Sequence, residues 1–259
     1  MEVIEKFLRA RQNMTVGPLL IYMLNAPGRK ISRRLDIRAV EKADSLMDRF
    51  TLIYKRNAWG SKESVSGSGS TLAMTESIRE KLPILFKEFS IGSIFDAPCG
   101  DFHWMQLVDL KGISYIGGEI VQPLVNLLNK KFSSRDLVFL QFDITQSVFP
   151  KSDLVLNRDC LFHLSYQDIL LTLENFLESG SKYFLSTSYD DDKRFLNSDI
   201  RSGGFRPIDL FSQPFSFPRD FLFQISENGE GTLPPRSLYL WDREQVTIAQ
   251  FNLENFISG

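Results

Sequence analysis

The sequence predicts an α/β fold: a mostly parallel sheet with helices on both faces, preceded by a helical extension. Three observations predict it. From residue 91 onward, apolar runs of strand length alternate with amphipathic stretches. The first clear run, Ser93-Ile94-Phe95-Asp96, ends in an acid and meets at once the tight turn Ala97-Pro98-Cys99-Gly100-Asp101. A second run, Ile113 to Gly118, closes on Glu119, 23 residues after Asp96. Two acids at adjacent strand ends, beside a turn narrow enough for a ligand to approach the backbone, is how α/β folds grip an adenosine.

The elements follow in order. Residues 1–12 and 36–56 carry apolar positions at helical spacing, among them Ile37, Val40, Leu46 and Phe50, with Gly17-Pro18 and Ala26-Pro27-Gly28 as interruptions. Residues 1–56 are therefore expected to form a helical extension, and 57–259 the main domain. The Ser/Gly-rich stretch from Trp59 to Ser70 has the composition of a linker, but Trp59 and Val65 are out of place in a tether, so a lid is expected. A helix should open just after it, with Thr71 or Thr75 as N-cap. Strands are expected at 92–96, 114–119, 137–142, 153–157 and 182–188, and helices at 102–110, 121–131 and 166–178. Right-handed crossovers put the carboxyl ends of such strands on one rim. Residues 190–236 break the rhythm with Phe, Pro and Gly, and two further strands follow at 221–225 and 237–241.

Composition narrows the function. A chain of 259 residues with 43% apolar content can bury a sizeable core. Its net charge of −2 argues against a dedicated nucleic-acid binder. Residues 1–58 are basic, with twelve Lys/Arg against six Asp/Glu, which reads first as a solvated helical face. Two cysteines, Cys99 and Cys160, exclude a disulfide scaffold or a cysteine zinc site. The start resembles no secretory leader, and the apolar patch from Val16 to Met23 is too short to span a bilayer, so a cytoplasmic protein is expected. The run Asp190-Asp191-Asp192 invites a metal, but acids in a loop are ordinarily solvated, and no metal site is expected.

Taken together, Asp96, the Gly100 turn, Glu119, Asp143 in Phe142-Asp143-Ile144, and Asn157-Arg158-Asp159 resemble the class I S-adenosylmethionine-dependent methyltransferases. The resemblance covers 92–190 well and the flanks more loosely. It implies a seven-stranded Rossmann-like sheet and S-adenosylmethionine as cofactor. Asp96 with Pro98, Cys99 and Gly100 would face the methionine half, where a carboxylate suits an ammonium. Glu119 would take the ribose hydroxyls, and Asp143 the adenine amino group, with Ile120 and Ile144 against the ring. The turn departs from the family pattern, because Pro98 and Phe102 stand where glycines are common. A dinucleotide reading fails here: a pyrophosphate would meet Asp96 and Asp101, whereas a sulfonium welcomes them.

Both histidines lie at this rim. In the resembling family the segment after the fourth strand lies beside the transferable methyl, so Asp159 would serve as base, with His163 as its understudy; Arg158 is expected at the cofactor site, or else as the partner of Asp159. Trp59, Ser68, His103 and Trp104 are expected to belong to the lid or line the substrate. Residues 190–236 would build an acceptor pocket in which Asn197 and Arg206 hydrogen-bond a polyhydroxylated or anionic acceptor and Phe205, Phe215 and Phe217 stack on its sugar or aromatic faces. The two thiols should sit near each other, reduced, because strands one and four are neighbours in this fold. The resulting expectation is O-methylation of a polar small molecule, preferably a sugar unit of a glycan. Methyl transfer to nitrogen of a small amine, protein or RNA, and a non-catalytic cofactor-binding module, are the alternatives.

Overall fold

A computed structural model describes residues 40, 42–189, 196–227 and 235–259. Its strands arise from short apolar runs, buried throughout in the central strands and half-exposed in the two at the sheet edges. They are β1 (Ser93–Asp96), β2 (Ser114–Glu119), β3 (Leu137–Gln141), β4 (Leu154–Asn157), β5 (Tyr183–Tyr189), β6 (Phe223–Ser226) and β7 (Arg236–Asp242). They form one sheet in the order β3-β2-β1-β4-β5-β7-β6. Strands β1 to β5 pair in parallel, and β7 lies antiparallel to both β5 and β6.

Alternate side chains feed two cores. Phe95, Val155, Phe184, Tyr239 and Trp241 pack on one face against α4 (Tyr166–Ser179) and α5 (Arg243–Ser258). Ile94, Leu154, Leu156, Leu185 and Leu240 pack on the other against α2 (Glu76–Glu88) and α3 (Gln122–Phe132). Helix α1 (Leu46–Lys55) sets Leu46 and Phe50 against the first core. Ser165 caps α4 by accepting from Asp168 N at 3.1 Å, and Gly180 ends it at φ +72°.

Three differences from the sequence expectations have local causes. No α-helix forms over 102–110; there is only a short 3₁₀ turn at Met105–Leu107. Phe102 sits at φ +56°, which a right-handed helix cannot contain. Its buried ring stacks on Tyr115, Phe132 and Phe139, each at 5.2 Å. A final helix, α5, follows the last strand. Its signal is the Asp242–Gln245 capping box, with Gln245 N donating to Asp242 Oδ1 at 2.9 Å. Phe215 and Phe217, expected in an acceptor pocket, are 0% and 2% exposed and seal the core against Tyr166 and Trp241. The expected helices over 1–12 and the acidic run Asp190-Asp191-Asp192 lie outside the described residues. Among the described residues no helix is long and apolar enough to cross a membrane, and no side-chain cluster could hold a metal.

Candidate active site

Parallel pairing brings the ends of β1, β2 and β4 to one rim, with Asp96 opposite Gly117 on one side and Leu156 on the other. The turn after β1 is stitched to both neighbours. Cys99 N donates to Gly118 O at 2.9 Å, and Asn157 Nδ2 donates to Ala97 O at 2.6 Å. Asp96 is buried and accepts from the Tyr115 hydroxyl at 2.5 Å. Burial pushes its carboxyl up to about 7, although Tyr115 and the charge of Arg158 pull the other way. Glu119 is also buried and accepts from Val121 N at 3.0 Å. Burial raises it to about 7, against the backbone N–H groups of Val121, Gly100 and Ile120. Among the described residues neither acid forms an ion pair.

Farther along the rim, Asp143 Oδ1 accepts from Thr145 N at 2.9 Å and from Thr145 Oγ1 at 2.7 Å, closing a turn that leads into buried Ile144. Ile120 is half-buried and Pro98 partly so. Cys99 and Cys160 are both free and buried, and burial raises both thiols, Cys160 to about 12.

The segment before α2 is bonded to this turn. Val65 N donates to Asp101 Oδ2 at 2.9 Å, and Asp101 N donates to Ser66 Oγ at 3.0 Å. Gly100 stands at φ +56°, and a Cβ there would collide with Ser66 Oγ. Farther out, His103 Nε2 lies 3.1 Å from Glu63 Oε1. Ser68 is exposed in the short 3₁₀ turn Ser68–Ser70. Arg158 Nη2 donates to Gly69 O at 2.8 Å, and its guanidinium lies over the buried Trp104 ring at 5.5 Å.

Beyond β4 the charges saturate one another. Asp159 Oδ2 lies 3.3 Å from Arg158 Nη1 and 3.1 Å from Arg236 Nη2. Glu227 Oε2 bridges the same arginines at 2.6 and 3.0 Å. The two guanidinium charges hold the Asp159 carboxyl below its usual range despite burial. Its backbone stands at φ +53°, and Asp159 N donates to Thr187 Oγ1 at 3.0 Å. Arg236 and Glu227 were not singled out from the sequence. They lie far along the chain, at β7 and just past β6, and no local motif marks them.

His163 sits in a different setting. Its Nδ1 lies 2.7 Å from Gly204 O, a pure acceptor, so Nδ1 carries the proton and Nε2 keeps a lone pair. Rings of Phe162, Trp59 and Phe205 flank it at 4.7, 5.5 and 5.6 Å. Burial holds His163 below the usual histidine range, against the Gly204 contact and the charge of Asp159.

Within the insertion, Asn197 differs from expectation. Its Nδ2 donates to Asp209 O at 2.7 Å and Gln213 O at 2.8 Å, and its Oδ1 accepts from Asp209 N at 3.0 Å. Both ends of the amide clasp the loop, so none is left for an acceptor. Arg206 is buried over Tyr166, with Nη1 donating to Leu161 O at 3.2 Å.

No family model and no curated protein sequence matches the chain. Solved structures do. Magnesium protoporphyrin IX methyltransferase from Synechocystis, with bound S-adenosylmethionine, aligns with a TM-score of 0.54 at 10% identity, over 78% of this chain and 99% of that one. Human N-acetylserotonin methyltransferase in complex with S-adenosylmethionine gives 0.54 at 15%, over 88% and 71%. Burkholderia thailandensis 1,6-didemethyltoxoflavin-N1-methyltransferase, with bound 1,6-didemethyltoxoflavin and S-adenosylhomocysteine, gives 0.53 at 13%, over 85% and 91%. The sheet order, the rim and these alignments give one conclusion: this chain has the Rossmann-like fold of the class I S-adenosylmethionine-dependent methyltransferases.

Proposed function

We propose that the chain is an S-adenosylmethionine-dependent O-methyltransferase acting on a hydroxyl of a polar small molecule, preferably a sugar unit of a glycan. One observation carries the cofactor assignment. Two buried carboxylates, Asp96 and Glu119, stand on neighbouring strand ends without an ion-pair partner among the described residues. Such acids suit a ligand that brings cationic and hydroxyl groups, and they repel a phosphate. Asp96 would face the ammonium, Glu119 the ribose, and Asp143 the adenine edge between Ile120 and Ile144. The 59–70 segment would act as a lid, tied to the turn by Ser66 and Asp101 and to β4 by Arg158.

S-adenosylmethionine supplies an electrophilic methyl group that moves by in-line displacement. His163 is the better base of the two rim candidates. It is neutral, its tautomer is fixed by Gly204, and its Nε2 lone pair can take the hydroxyl proton as the new bond forms. The charge of Asp159, which raises the proton affinity of His163, then favours the imidazolium. Asp159 itself is held ionised by two arginines, which makes it a weak base and a positioning group. Trp59 and Phe205 offer flat faces beside His163 for a sugar or an aromatic ring.

The test has two stages. Calorimetry should show the full chain binding S-adenosylhomocysteine. Incubation with labelled S-adenosylmethionine and nucleotide sugars or glycan fragments should then give an oxygen-methylated product by mass spectrometry. Binding without turnover on any acceptor would point to a non-catalytic module, and a nitrogen-methylated product would move the acceptor to an amine.

A further inference from the structure

Among the described residues, the insertion after β5 holds one buried charge without an ion-pair partner. Arg206 is 5% exposed, and its Nε and Nη2 are buried without a hydrogen-bond partner. It forms no ion pair among the described residues. The neighbouring arginines differ, because Arg158 and Arg236 each hold carboxylates of Asp159 and Glu227. Asp199 is near enough for its charge to favour the guanidinium but makes no ion-pair contact with it, and its Oδ1 accepts from Tyr166 N at 2.7 Å and Ile200 N at 2.8 Å. A buried guanidinium left so bare costs stability.

The two bare atoms form a set. Nε and Nη2 carry the parallel N–H bonds along one edge of the guanidinium, the fork that receives both oxygens of a carboxylate. Their position is the second observation. The loop that carries Arg206 is the loop that fixes His163. Gly203 N donates to His163 O at 2.8 Å, Gly204 O accepts from its ring, and Arg206 N donates to Phe162 O at 3.1 Å. The anion-gripping edge and the base are thus joined through one loop, 203–206, past the end of β4.

We propose that Arg206 binds a carboxylate of the methyl acceptor side-on through Nε and Nη2, which makes the acceptor a hydroxylated carboxylic acid. The inference rests on the methyltransferase reading above. Both atoms are closed to solvent, so the acid enters as loop 203–206 shifts. Phe205, 37% exposed, is the side chain of that loop placed to yield. A carboxylate seated there neutralises the buried charge and leaves the acceptor beside His163.

The test uses full-length protein saturated with S-adenosylhomocysteine and titrated calorimetrically with two pairs of probes. The pairs are salicylate with salicylamide, and glucuronate with its methyl ester. At least one acid should bind roughly tenfold or more tightly than its uncharged partner, as charge-assisted hydrogen bonds imply. Arg206→Lys keeps the charge but loses the fork, and should abolish that preference while S-adenosylhomocysteine binds as before. Arg206→Met removes the bare charge and should raise the melting temperature of the ligand-free protein. Equal binding within both pairs, no binding by any of the four, or a lowered melting temperature for Arg206→Met would overturn the proposal. Failure of the wild type to bind S-adenosylhomocysteine would remove the methyltransferase reading and this proposal with it; loss of the acid preference alone removes only the proposal.

Discussion

At the ends of β1 and β2, two buried carboxylates face the rim, and among the described residues no basic side chain is bonded to either. Past the end of β4, two arginines and two carboxylates neutralise one another within a single largely buried cluster. On the proposed reading, the contrast separates groups kept for a ligand from groups that hold the site in shape. An unpaired buried acid costs stability until something cationic or hydrogen-donating arrives. A paired one is already neutralised and gains little from a substrate. The same carboxylate chemistry would therefore serve different ends along one rim, and its partners decide which.

The largest effect should come from the base. His163→Ala should lower turnover by about 10²–10⁴-fold while cofactor affinity stays within about twofold. Single-turnover kinetics and calorimetry on the same preparation read both; unchanged turnover would return the role of base to Asp159. Next, Asp159→Asn leaves two buried guanidinium groups short of one carboxylate. Urea unfolding should show a loss of about 3–5 kcal/mol. A variant as stable as the wild type would show that the β4 cluster is not structural, and the comparison would break there. Glu119→Ala is the matching change at the other half. It should weaken S-adenosylmethionine binding roughly ten- to hundredfold, the worth of hydrogen bonds to a charged group. Urea stability should be less affected than in Asp159→Asn, because no ion pair is broken.

The smallest effect, and the most general, is in the pH profile. Asp96 and Glu119 titrate near 7 in the folded chain and in the usual carboxylate range when unfolded. Their contribution to stability is complete below that usual range and is lost as pH rises through about 7. Ligand-free protein should thus melt at lower temperature as pH climbs through neutrality. S-adenosylmethionine affinity should rise over the same window, since the ionised acids favour a cation. Asp159, held below its usual range, has the opposite sign: its contribution is present at neutral pH and fades as acid protonates it. A melting profile flat through neutrality would mean that the two rim acids are solvated, which would erase the difference between the halves.

How much of this was legible before the structure depends on the range of the forces involved. The sequence by itself determined the strands of the parallel sheet, because a short apolar run of four to seven residues bounded by turn residues is a local pattern, whether it ends up in the buried centre or at the half-exposed edge. It determined Asp96 and Glu119 as strand-ending acids for the same reason, and the Asp242–Gln245 box marked α5 for any reading that looked past the last strand. Only the tertiary structure decided what those groups do. Arg236 and Glu227 reach Asp159 from β7 and from just past β6, Gly204 fixes the tautomer of His163 from 41 residues on, and Asn197 spends its amide on Asp209 and Gln213. Phe102 left the expected helix because three aromatic rings elsewhere in the chain made a better place for it. Charge pairing, burial and proton position depend on neighbours in space, and folding brings those neighbours together from positions that no local pattern connects.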